Sequence, residues 1–142
     1  MIRTIDDSIS VAPQLSPEDM TALAAAGFGF VINNRPDDEE GGQPSSAEMR
    51  AAAEAAGMGY VAIPTVMGGM TRAQVDEMAA ALGSTDRPVL AYCRSGTRSC
   101  NLWALAEASR GGDPQELTAK AAAAGYDLSG IRPVLDQLAG KA

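Results

Sequence analysis

Cys93 stands between the apolar run Val89 to Tyr92 and a loop of small residues and arginines, Arg94-Ser95-Gly96-Thr97-Arg98-Ser99. The run has the length and character of a buried parallel strand, and Cys100 to Ala108 holds good helix formers. The cysteine therefore falls where a strand hands over to a helix N-terminus. Unpaired backbone N–H groups gather at such a turn, and the positive end of the helix dipole adds to them, so an anion is favoured at the loop centre. The spacing of Arg98 from Cys93 suits a two-pronged anion clamp, and Arg94 adds charge from the loop or from its solvent side. The same field favours thiolate over thiol and makes Cys93 a candidate nucleophile. Cys93 and Arg98 are read as the reacting pair, with Arg94, Ser95, Gly96, Thr97 and Ser99 as the anion-binding loop. Ser99 either donates to the thiolate or caps the helix.

The chain has 142 residues and no histidine, so a Cys-His or Ser-His-Asp triad is impossible, as are histidine metal sites. A reactive cysteine here has only dipoles and arginines to activate it. A formal net charge of −7 with 4% aromatic residues argues against a nucleic-acid backbone binder or a base-stacking platform. The length suits one domain, residues 1–142. With no long apolar run and no secretory leader pattern, a cytoplasmic protein without membrane contact is expected. Two cysteines seven positions apart around a loop do not make a disulfide framework.

The elements that must position the loop follow from period and punctuation. Ile9 to Ala12, Phe28 to Asn33, Tyr60 to Ile63 and Val89 to Tyr92 read as strands. Between them lie helices over Met20 to Ala26, with Ser16 as cap and Pro17 in the first turn, from Ser45 or Ser46 to Gly57, and from a Thr71/Gln74 capping box to Leu82. Asp113-Pro114 opens another helix, and Ile131 to Leu138 makes a last short one. This alternation predicts an α/β fold, a central, mostly parallel sheet of four or five strands with helices on both faces and a site at the carboxyl ends of the strands.

Two more loops reach that end, Asn33 to Asp38 and Pro64 to Met70. Arg35 is a candidate auxiliary cation, or else a partner of Asp37, Asp38 or Glu39. Asp37 and Asp38 are candidate proton donors within the run Asp37 to Glu40, whose default is a solvated loop. Cys100 is either a resolving thiol or core packing, and Met67 and Met70 either floor an apolar pocket or fill the core.

Cys93-x-x-Gly96-x-Arg98-Ser99 resembles the active loops of two related groups. Tyrosine and dual-specificity phosphatases carry His-Cys, five residues, then Arg and Ser or Thr. Here four residues separate Cys93 from Arg98 and Tyr92 replaces the histidine, a shorter spacing similar to rhodanese-type sulfurtransferases. Val11-Ala12-Pro13-Gln14, Val31 to Asp37, Gln43-Pro44-Ser45-Ser46 and Tyr92 to Ser99 resemble the small bacterial phosphatase-like domain found alone or fused to metallo-β-lactamase-type hydrolases. The resemblance spans about residues 5 to 110. It implies a tyrosine-phosphatase-like fold. Members of that family have been named both phosphatases and sulfurtransferases, and the fusions imply a sulfide-handling context.

Phosphoryl transfer needs a protonated leaving oxygen, usually from an aspartic acid on a neighbouring loop, and Pro64 to Met70 contains no carboxylate; Asp76 lies in the following helix. Sulfane transfer has no such need, because thiolate or sulfite leaves as a stable anion. The leading expectation is therefore a sulfurtransferase passing sulfur through a Cys93 persulfide, with thiosulfate or a persulfide as donor and a small thiol or cyanide as acceptor. A cysteine-dependent phosphatase acting on a phosphate ester through a phosphocysteine is the alternative. A weakly catalytic anion-binding or redox-sensing module is a third. None of the three implies a metal or an organic cofactor.

Overall fold

The chain builds a five-stranded sheet in the order β1-β2-β5-β3-β4 in a computed structural model that describes residues 1–66 and 68–140. The strands are β1 (Arg3–Asp6), β2 (Ile9–Ala12), β3 (Phe30–Asn33), β4 (Gly59–Ala62) and β5 (Val89–Tyr92). The helices are α1 (Asp19–Ala25), α2 (Ser46–Ala55), α3 (Arg72–Gly83), α4 (Thr97–Ser109), α5 (Pro114–Ala123) and α6 (Arg132–Leu138). Strands β2, β5, β3 and β4 run parallel, and β1 joins the edge antiparallel to β2. The expected α/β architecture is present. The addition is β1, whose Arg-Thr-Ile-Asp sequence offers a single apolar residue, Ile5, for burial.

Strand β5 is the centre, buried along its whole length. Its period of two divides the core: Val89 and Ala91 pack with α3, α4, α5 and α6, whereas Leu90 and Tyr92 face α1 and α2. The same alternation sends Ile32 to the first layer and Val31 to the second. Buried on both faces, these strands read as unbroken apolar runs, as parallel strands do. In register, Tyr92 pairs with Ala12 on one side and Asn33 on the other, so Cys93 and Asn34 emerge beyond the same edge of the sheet.

Helix ends follow cap chemistry where a cap exists. The Thr71/Gln74 box at α3 forms both reciprocal bonds, as does Ser45 with Glu48 at α2, and Asp113 caps α5 ahead of Pro114. Ser16 does not cap α1. That helix starts at Asp19, whose carboxylate accepts from the Ser16 N–H at 2.8 Å, and Pro17 lies in the turn before it. Helix α4 starts at Thr97, three residues before Cys100, which brings its N-terminus into the cysteine loop itself. Met67 lies outside the described residues. Among the described residues no helix is long and apolar enough to cross a membrane.

Thr71→Ala is expected to cost about 1 kcal/mol and lower the melting temperature by roughly 3 °C, read by calorimetry. Ser16→Ala, which removes no cap, should leave it within about 1 °C.

Candidate active site

Strand β5 delivers Cys93 to the end of the sheet, where its N–H donates to the Ala12 carbonyl at 3.3 Å. The next residues turn sharply. Gly96 has φ +92°, a left-handed conformation that suits glycine, and it is the N-cap of α4. This turn brings the Gly96 N–H to 3.1 Å from Cys93 Sγ. The sulfur is buried, receives a backbone donor and lies at the N-terminus of a 13-residue helix, as the loop's composition predicts. Ser95 Oγ donates to Thr97 Oγ1 at 3.1 Å, bracing the exposed rim. An open cleft of about 390 Å³ lies above, lined by Glu39, Arg94, Ser95, Thr97 and Arg98. The Arg94 side chain is at its mouth, exposed to solvent.

Arg98 is held from two loops. Its Nη1 donates to the Thr65 carbonyl and to Glu39 Oε2, each at 2.8 Å, and its Nη2 donates to Glu39 Oε1 at 2.8 Å. The fork expected to grip a substrate anion thus grips a carboxylate of the chain itself. The hydrogen bonds to Glu39 raise the Arg98 pKa, against the burial that works to lower it. Glu39 also accepts from Arg35 Nε at 2.8 Å, while Arg35 reaches Gln14 at 3.0 Å and Glu40 at 3.2 Å. Arg35 is therefore a partner of the acidic run and supports the clamp through Glu39.

The other carboxylates of that run point elsewhere. Asp37 Oδ1 accepts from the Ser46 N–H at 2.8 Å and so serves the start of α2; Asp38, at φ +59°, is exposed. Neither is placed as a proton donor. Hydrogen bonds from Arg98 and then Arg35 hold Glu39 down to about 2, so it stands as a carboxylate. Asp76 pairs with Arg72 on the exposed face of α3.

Ser99 neither caps α4 nor donates to the sulfur. Its hydroxyl donates to Asn34 Oδ1 at 2.8 Å, while Asn34 Nδ2 reaches the Ile63 carbonyl at 3.1 Å and the Asn34 N–H reaches Tyr92 O at 2.8 Å. Asn34 fastens the ends of β3, β4 and β5 to α4. The sequence marks its loop as near the site but gives no sign of this role, which is made by contacts up to 65 residues apart. Cys100 is core: burial, then the charge of Cys93, pushes its thiol up to about 12, which removes its value as a resolving nucleophile. Met70 packs against the core and lines a separate apolar hollow with Leu105, Ile131 and Val134.

The depressed Glu39 pKa sets a pH dependence. Its contribution to stability is complete above the ordinary carboxylate value of 4.5 and is lost as pH falls toward about 2. Melting temperatures of the parent and Glu39→Gln should differ most above pH ~4.5 and converge near pH ~2.

Comparison with known proteins bears on this geometry. Residues 1–110 match the model of the family described as the phosphatase-like domain of beta-lactamase hydrolase-like proteins. A beta-lactamase hydrolase-like protein of Agrobacterium fabrum is 38% identical over 107 residues, 75% of this chain and 25% of that one; the chain thus spans about a quarter of that curated relative. A Neisseria meningitidis crystal structure described as a candidate phosphatase superposes with a TM-score of 0.82 at 35% identity, over 96% of this chain and 97% of that one. Tk-PTP in its active form superposes with a TM-score of 0.75 at 19% identity, over 99% and 97% of the two chains, and shows the same tyrosine-phosphatase-like fold. The family and the Neisseria meningitidis structure are both described as phosphatase-like, the alternative to the sulfur transfer that the short loop favoured. The chain belongs to the beta-lactamase hydrolase-like phosphatase-like domain family.

Proposed function

We propose that the chain acts as one unit, a cysteine-dependent phosphatase working through a phosphocysteine. The observation that carries this reading is the Gly96 N–H at 3.1 Å from Cys93 Sγ, with the Arg98 fork over the same loop. In this reading Sγ attacks phosphorus, the S–P bond forms as the ester P–O bond breaks, and the electron pair leaves on the ester oxygen. Water then cleaves the S–P bond and releases inorganic phosphate. Arg98, the loop amides and the α4 dipole stabilise the equatorial oxygens, where charge builds. Because Glu39 occupies both prongs of Arg98, phosphate binding exchanges a carboxylate for a phosphoryl group at that fork. Arg94, at the mouth, supplies a second cation for the incoming ester. The two cysteines are free, which suits a reducing cytosol.

Leaving-group chemistry follows from the carboxylates. With Asp37 bound to the start of α2 and Glu39 held ionised, protonation of the departing oxygen is weakly supported, so esters of acidic alcohols such as phenols are the preferred class. The same feature favours sulfur transfer as a second reading, since thiosulfate needs no proton on its leaving sulfite.

On p-nitrophenyl phosphate, Cys93→Ser should lower kcat by roughly 10³-fold or more and Arg98→Ala by about 10²-fold, measured by steady-state phosphate release. Asp37→Asn should stay within about threefold of the parent. Mass spectrometry of the quenched protein should show a phosphate adduct on Cys93; a cyanide-labile gain of one sulfur after thiosulfate treatment, without phosphate release, would establish the second reading instead.

A further inference from the structure

Tyr126 lies beyond residues 1–110, the stretch matched by the family model, in the segment that follows α5. Its backbone N–H closes that helix on the Ala121 carbonyl at 2.9 Å, and its hydroxyl crosses to the cysteine loop, donating to the Ser95 carbonyl at 3.3 Å. That carbonyl belongs to the peptide unit joining Ser95 to Gly96. In a trans peptide the C=O and N–H point in opposite directions, so a donor that holds the carbonyl from behind aims the N–H forward. The N–H of this unit is the one that meets Cys93 Sγ at 3.1 Å. The preceding unit is held likewise: the Arg94 carbonyl accepts from the Gln14 N–H at 3.4 Å.

Glycine at 96 permits the approach, because a Cβ there would collide with the Tyr126 hydroxyl. The tyrosine is itself held. The Arg3 guanidinium stands 5.9 Å from the ring centroid and donates from Nη1 to the Ala124 carbonyl at 3.1 Å, tying β1 to the same segment.

We propose that Tyr126 is a positioning residue of the anion loop: it fixes the Ser95–Gly96 peptide with its N–H toward the sulfur, and it does so without touching the substrate. The inference rests on Cys93 being the attacking group. Tyr126→Phe removes the hydroxyl and keeps the ring packing, so the melting temperature should stay within about 3 °C of the parent. For p-nitrophenyl phosphate, kcat should fall roughly tenfold with KM changed less than about twofold, since the loss falls on groups that act in the transition state.

A second readout needs no turnover. The ratio of iodoacetate to iodoacetamide alkylation rates at the Cys93 peptide, read by mass spectrometry, reports how well the loop draws an anion to the sulfur, and it should fall at least about threefold in Tyr126→Phe. An unchanged ratio overturns the assignment whatever kcat does. If the parent releases no phosphate, the phosphatase reading fails by itself, and the alkylation ratio still decides the role of Tyr126.

Discussion

Two arginines share one carboxylate at the carboxyl end of the sheet, and the geometry of the site depends on that sharing. Arg98 and Arg35 expose 7% and 3% of their side chains, so each charge must find a partner inside the protein. Glu39 serves both, with three contacts at 2.8 Å. The loop between β3 and α2 contains no helix or strand, and this double ion pair is what draws it over the cysteine loop, 59 residues away along the chain. Charge compensation here does the work that backbone ladders do elsewhere in the fold.

The cradle by itself is indifferent between phosphate and sulfur. Backbone donors, a helix terminus and a guanidinium fork recognise an oxyanion by charge and shape, and a fold of this kind can host either chemistry. What separates the two is the fate of the leaving group, and that depends on groups outside the cradle. Here Asp37 serves the start of α2, and Glu39 is held ionised by Arg98 and Arg35.

The strand, the cysteine and the helix behind it are legible in the sequence because all three are local: an apolar run, a glycine where φ must be positive, then helix formers. The parallel order and the two helical layers follow from the alternation of elements. Strand β1 escapes notice because an edge strand has only Ile5 to bury. Glu39 is legible as a partner of Arg35, but its grip on Arg98 escapes because four consecutive acids read as a solvated run and nothing near them in sequence announces Arg98. Ser99 is misread because its neighbours suggest a cap, while its hydroxyl turns to Asn34 on another loop. For Glu39 and Ser99 the missing information is a tertiary contact between side chains far apart in the chain.

The bond from Arg3 to the Ala124 carbonyl spans 121 positions, so the segment behind the loop is tied to the first strand of the chain. Contacts of that separation carry a large loop-closure entropy. The parallel strands and α4 lie within residues 9 to 109, whereas the support behind Ser95 and Gly96 comes from the segment after α5. A nascent chain therefore has the residues of its parallel strands and α4 before it has those that brace the Ser95–Gly96 peptide.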